Sequence, residues 1–460
     1  MLTLDDGGES ITDSDGETDS DTEPPSTTSP PPVECIDSST CEPGWECIDG
    51  ECVPYDYCAD GGCCDYGYGG DCCYDGCCYG ECYYYECYSD AECGPGGLCE
   101  SFQECTWVDP LAECGDPPAL LGLPLLEDAP EQVVSLSFVD ADGDAAADLV
   151  VGTEGGAATL FRGSDGPPQA SPLPFPGGAP LLDVASADLT GDGLPDLVGA
   201  DALGRIIVLA ADGAGGFSPA SETPGVGPIT RLSVLDWDGD ATPDLATLGG
   251  DGLVSVFLGD GAGGFAGVFA LDTDNGAYTL ATGTFGADAF DDVLVHTEER
   301  GSLFWGNAVG DAQPDGELAP SGHGRRGVVA ADFDGAGVTD IAGHTPIETF
   351  DEPWALIEGW RNGLAPVQRQ ALLAPVSVSD RGDVDGDGLT DAVAVGEWTL
   401  SILHGSPEGG DAPLFACHDR LTLEYPARLL ALGDYDGDGL ADIAVADDSR
   451  VTLLRRLAPE

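Results

Sequence analysis

One acidic pattern returns seven times along this chain. It first runs Asp140-Ala-Asp142-Gly-Asp144-Ala-Ala-Ala-Asp148, and it starts again at Asp188, Asp236, Thr284, Asp332, Asp383 and Asp434. Successive copies begin 48, 48, 48, 48, 51 and 51 residues apart. Alternate carboxylates on a tight turn can converge on one hard cation. Calcium suits them, taking about six to eight oxygens at roughly 2.3–2.6 Å in a flexible shell. Glycine at positions 4 and 6 permits the positive φ that such a turn needs. Four carboxylates so close repel one another, so an occupied loop is favoured.

Four copies keep all four acids: Asp140, Asp142, Asp144 and Asp148; Asp236, Asp238, Asp240 and Asp244; Asp383, Asp385, Asp387 and Asp391; Asp434, Asp436, Asp438 and Asp442. The second copy offers Asp188, Thr190, Asp192 and Asp196, a hydroxyl replacing one carboxylate. In the fifth, Asp332, Asp334 and Asp340 remain but Ala336 stands at position 5, which predicts weak binding. The fourth starts at Thr284, keeps only Asp288 and Asp292, and is expected to be empty. About four to five calcium ions are therefore expected per chain. A helix-flanked EF-hand loop also opens D-x-D-G-D-G, but it needs an acidic ligand at position 12. That position holds Val151, Gly199, Thr247, Val295, Gly343, Ala394 and Val445, so the EF-hand reading fails. Arg381-Gly382-Asp383 resembles an adhesion tripeptide, yet its aspartate is already position 1 of a loop.

The elements around each loop are short apolar runs, such as 133–139 before the first copy and 148–151 after it. A third run follows (158–162, 206–210, 254–258, 400–404), then a glycine-rich turn and a weaker fourth. Runs of this length bounded by Gly, Asp and Pro read as strands. Four strands in one repeat make a propeller blade. After the last copy only two strands remain, while a surplus strand at 119–126 precedes the first. That surplus strand should complete the last blade and leave no open sheet edge. The prediction is an all-β, seven-bladed propeller closed by an N-terminal strand.

Asp383-Val-Asp-Gly-Asp-Gly-Leu-Thr-Asp391 and Asp434-Tyr-Asp-Gly-Asp-Gly-Leu-Ala-Asp442 resemble the calcium loops of FG-GAP and VCBS repeats, which build the integrin α-chain propeller and many secreted bacterial propellers. The resemblance covers residues 117–460. It implies side-chain ligands at positions 1, 3, 5 and 9 and a backbone carbonyl at position 7.

Two segments precede the propeller of residues 115–460. Residues 1–34 are acidic and rich in Ser, Thr and Pro, and are expected to be a disordered tether. Residues 35–114 hold 17 of the 18 cysteines, a density that predicts a disulfide-rich segment in an oxidising compartment. Cys417 stands apart, and pairing it with Cys114 would leave 16 for that segment. An extracellular or cell-surface location is expected, although no export signal opens the chain. No run approaches the ~18 apolar residues of a membrane span. The 85 acidic residues against 14 basic ones, all arginine, give a net charge of −71. Such a surface repels nucleic acid and anionic membranes alike.

Neither an H-E-x-x-H zinc motif, a G-x-S-x-G elbow nor a phosphate loop is present, so no enzyme is expected. Connections alternate between the two ends of a blade, and the end opposite the acidic loops should carry His296, Arg300, His323, Arg325, Arg326, His344 and Trp354. Those residues are candidates for a ligand patch. The leading reading is an exported, monomeric, calcium-binding propeller that binds or adheres to an extracellular protein or glycan. Alternatives are a hydrolase or lyase on a propeller scaffold acting on extracellular polymers, or a purely structural surface protein.

Overall fold

A computed structural model describes residues 104–114 and 118–456, apart from 165, 272, 274–275, 286–287, 289, 298–300, 308–313, 319–326, 348–353, 362–364 and 408–411. Between residues 45 and 100 it describes only short strand pieces. The predicted tether and most of the cysteine-rich segment lie outside the described residues, as do Arg300, His323, Arg325 and Arg326. The chain divides into two compact units, Met1–Tyr84 and Tyr85–Glu460. All seven acidic repeats belong to the second.

Seven antiparallel sheets stand around one axis. Their first strands are Val133–Val139, Leu181–Ala187, Ile229–Leu235, Thr279–Gly283, Gly327–Ala331, Val378–Gly382 and Leu429–Gly433. Each of these touches the next, and the last touches the first, so the ring is closed. From each, the sheet runs outward in chain order. In the seventh blade Leu120–Leu126 supplies the fourth strand, antiparallel to Val451–Arg456 with Leu123 opposite Leu453. The sequence predicted this closure, because only a strand from the other terminus can cover that edge. In the sixth blade, strands two and three run together as Asp391–Gly405, one half pairing inward and the other outward.

Burial explains why each run is a strand. Second strands such as Asp148–Thr153 and Asp196–Asp201 are buried on both faces, so their residues are apolar without alternation. Fourth strands face solvent and alternate, as Phe217–Pro224 does. The core lies between blades: Val150 and Leu160 of the first pack on Leu181, Val184 and Leu197 of the second. Val198 and Val208 of the second meet Leu245 and Phe257 of the third. At roughly 1.5–3 kcal/mol for each such buried side chain, these contacts hold the ring together. Hydrogen bonds at the loop ends add stitches, from Ala147 N to Asp434 O at 2.6 Å, Asp291 N to Asp236 O at 3.1 Å and Ala441 N to Asp383 O at 2.7 Å.

Part of the cysteine-rich stretch packs on the ring. Leu98, on the strand Gly97–Glu100, is fully buried against Ile347, Trp354, Leu356 and Ala371 of the fifth blade. The chain then runs along the outer edges of blades five and six. Leu111 N donates to Ala371 O, and Cys114 N to His418 O. A Cys114–Cys417 disulfide closes this strip, 303 residues apart in sequence.

Candidate metal loops on one face of the ring

Every acidic loop joins the first strand of a blade to the second, so all seven lie at one end of the ring. Position 9 is the foot of the loop and opens the second strand. Its aspartate is no more than 2% exposed in all seven copies: Asp148, Asp196, Asp244, Asp292, Asp340, Asp391 and Asp442. One carboxylate oxygen accepts the position-2 amide in each copy, from Ala141, Leu189, Trp237, Phe285, Phe333, Val384 and Tyr435, at 2.9–3.2 Å. In six copies the other accepts an amide at the end of the third strand, from Gly163, Ala211, Gly259, Gly306, Gly405 and Arg456, at 2.7–3.0 Å. The foot therefore pins the loop to the third strand with no ion involved. Four of the donors are glycines because neighbouring carbonyls crowd that point: a Cβ on Gly306 would stand 2.3 Å from Asp291 O.

Burial raises the pKa of several feet against the pull of those amides. Asp148, Asp244 and Asp391 rise to about 6 and Asp442 to about 7, with desolvation the largest cause in each. A group that costs so much to ionise is well placed to share its charge with a cation.

Positions 1, 3 and 5 form the tip. The position-1 carboxylate folds the tip around itself: Asp434 accepts from Gly437, Asp438 and Gly439, and Asp188 from Asp192 and Gly193. In the third loop this shell is incomplete. Asp236 Oδ2 accepts from Ala241 at 3.1 Å, but Oδ1 is buried with no hydrogen-bond partner. Thr190 Oγ1 in the second loop is orphaned in the same way. Sets whose ligand atoms lie within 4.8 Å of one another include Asp140, Asp142 and Asp144; Asp236, Asp238 and Asp244; Asp332, Asp334 and Asp340; and, with a histidine, Asp385, Asp391 and His404. A hard cation held by oxygens fits this donor set, and in the third loop Asp236, Asp238 and Asp244 would hold it. The fourth loop is different: Asp292 is a foot, and among the described residues Asp288 accepts only from Phe290 N, at 3.4 Å.

Basic side chains reach four tips from the ends of third strands. Arg162 Nη1 lies 2.9 Å from Asp142 and 3.2 Å from Asp148. Arg361 Nε lies 2.5 Å from Asp334, His404 Nδ1 lies 3.0 Å from Asp385, and Arg455 pairs with Asp436. The acidic pattern alone does not point to these bases. Their signal is a base directly after a large apolar residue at the close of the third run, as in Phe161-Arg162 and Trp360-Arg361.

The expected ligand patch at the opposite end needs correction. His296, His344 and Trp354 are 1%, 4% and 1% exposed, so they offer no surface. The strands Asp340–Ile347 and Trp354–Arg361 are longer than their counterparts, and they absorb both His344 and Trp354. A small cavity of about 130 Å³ lies nearby, lined by Arg231, Tyr278, Thr279, Gly327, His344 and Ser379 among others.

Four-stranded blades with an acidic loop between their first two strands place the chain among the acidic-loop β-propellers. A family model described as an FG-GAP-like repeat matches residues 140–199, 188–247 and 383–445, and the ring is an FG-GAP propeller. Solved structures of similar fold include BBS1N in complex with ARL6DN, from a crystal soaked with mercury, at 11% identity and a TM-score of 0.52, covering 74% of this chain and 98% of that one. Sqt1 of Saccharomyces cerevisiae is similar at 12% identity and a TM-score of 0.51, covering 75% of this chain and 100% of its own. At such identities the likeness is one of fold. No curated protein sequence matches the chain.

Proposed function

We propose that the chain is an exported, calcium-stiffened binding module that takes a protein or glycan ligand on the face opposite its acidic loops. The observation that carries this reading is where large apolar side chains stay in water. Leu203, Tyr278 and Trp398 are 68%, 52% and 50% exposed, and Val226 and Leu373 are nearly as open. These five, of the eight large apolar side chains exposed among the described residues, sit where a second strand passes into a third or one blade passes into the next, which is the end away from the loops. Trp107, Leu121 and Val268 lie on strands elsewhere. Exposed apolar groups gathered on one face mark an interaction surface. The similar BBS1N propeller is in a protein complex, which suits the same use here. Export is favoured by the Cys114–Cys417 disulfide, since such bonds persist in oxidising compartments. Calcium would bind the native ring alone and so stabilise it.

The test is a screen of the full chain against protein and glycan arrays, with calcium and with chelator. A ligand found this way should lose at least about tenfold in affinity to Leu203→Asp and Trp398→Asp, with circular dichroism unchanged. Binding untouched by both substitutions would show that the ligand sits elsewhere.

A further inference from the structure

A series of seven side chains stands at the ends of the third strands, and in every blade but the fifth the amide of the next residue pins the foot. They are Arg162, Ala210, Leu258, Trp305, Arg361, His404 and Arg455. Four are bases, and each of the four contacts the position-3 acid of its own loop. Three are apolar. One of these, Trp305, belongs to the fourth loop, which has lost its ligand set. The other two, Ala210 and Leu258, belong to the second and third loops. Those same loops hold the two orphaned oxygens, Thr190 Oγ1 and Asp236 Oδ1. Among the described residues, no side-chain oxygen at positions 1, 3, 5 or 9 of a base-bearing loop is buried without a partner.

We propose that the bases are tethered counter-cations that hold the first, fifth, sixth and seventh loops closed to a divalent cation, so that the second and third loops fill first. The proposal rests on the calcium reading above and assigns an order of filling to it. An ion entering the first loop must displace Arg162 from Asp142 and then share the site with a guanidinium, which Coulomb repulsion opposes. An ion entering the third loop meets three carboxylates with no base against Asp238, and it satisfies an oxygen that is otherwise buried without a bond. In the second loop Thr190 would contribute its orphaned hydroxyl in the same way.

This arrangement divides the ring. In the blades with bases a single cation offsets part of the charge at the tip, so these loops depend less on an ion to hold shape. Blades two and three depend on the ion. Their far ends carry Leu203 and Val226, and the connection leaving blade three carries Tyr278, so the calcium-responsive sector presents three of the five exposed apolar side chains on that face. Calcium would then act on part of the face that meets the ligand.

Calorimetric titration of the chelator-stripped full chain with calcium chloride tests the assignment. Two tight events should precede any weaker ones. Thr190→Val and Asp236→Asn should each remove one tight event. Leu258→Arg should weaken one by about tenfold, as a new internal counter-cation would. Arg162→Leu should convert a weak event into a tighter one. Thermal melts in chelator check that each variant is folded, and Leu258→Arg works at a loop that already folds without a base. If the wild type binds calcium but Thr190→Val, Asp236→Asn and Leu258→Arg all leave the tight events in place, the order of filling is overturned and the calcium reading stands. If the wild type takes up no calcium, both fall.

Discussion

The foot and the tip of each acidic loop use the same residue type under different rules. At the foot, aspartate is present and buried in all seven copies, and in six of them both of its oxygens accept backbone amides. At the tip, positions 1, 3 and 5 vary: Thr190, Thr284, Gly286 and Ala336 all replace an acid. The regular ladder is therefore two demands laid over each other. Folding asks for position 9, and cation binding asks for the rest. The fourth blade separates them, because it has given up its tip and kept Asp292.

That separation can be broken most directly in the fourth blade. Asp292→Ala leaves the amides of Phe285 and Gly306 without their acceptor inside the ring. Loss of stability should be about 3 kcal/mol, measured by urea unfolding in chelator. Asp288→Ala, at the exposed tip of the same loop, should change stability by no more than about 0.5 kcal/mol. Equal, small effects would make the foot a relic of a metal site and dissolve the distinction.

Acidity sharpens the same comparison with a smaller effect. An unfolded aspartate titrates near ~3.9, whereas Asp148, Asp244 and Asp391 titrate at about 6 and Asp442 at about 7 in the ring, because burial disfavours their charge. The folded state holds these protons more tightly. The stability they contribute is complete below the unfolded value and is lost as the pH rises through the folded ones. Stripped protein should melt at falling temperature from roughly pH 4 to pH 7. Saturating calcium should flatten that slope, because the ion takes the proton's place beside the carboxylates. Identical slopes with and without calcium would mean that the ion never reaches the feet.

The architecture was legible in the residues because a propeller repeats one unit. Seven evenly spaced turns and the odd strand at 119–126 leave little choice of topology, and the pairing of Leu120–Leu126 with Val451–Arg456 is the result. Loop chemistry was legible only in part. Acids show in a sequence; what each acid touches does not. Asp292 looks like a leftover ligand until its two amide partners are seen. Arg162 and Asp142 are 20 residues apart, and only the hairpin between the second and third strands brings them together. The opposite face misled for a related reason. Histidine and tryptophan between 344 and 354 suggest an exposed loop, but two lengthened strands bury both ends of that stretch.

The smallest expected effect concerns the shape of the tip itself. At position 6 four loops have glycine with positive φ, Gly193 at 85°, Gly337 at 82°, Gly388 at 88° and Gly439 at 90°. The first and third loops put alanine there in the same left-handed region, Ala145 at 73° and Ala241 at 64°. A Cβ in that region costs about 1 kcal/mol, which the rest of the loop must hold in place. Ala241→Gly should therefore stabilise stripped protein by up to about 1 kcal/mol, a rise of ~1–2 °C in melting temperature for a ring of this size. Its effect on calcium tells tip from foot. If the tip is already shaped for the ion, the strain is the same with and without it, and affinity at the third loop should not move. If affinity rises with stability, the alanine is resisting a rearrangement on binding, and the stripped tip differs from the filled one. The foot, pinned by amides in both states, should be indifferent to the substitution, so the pH slope from Asp244 should stay as it was.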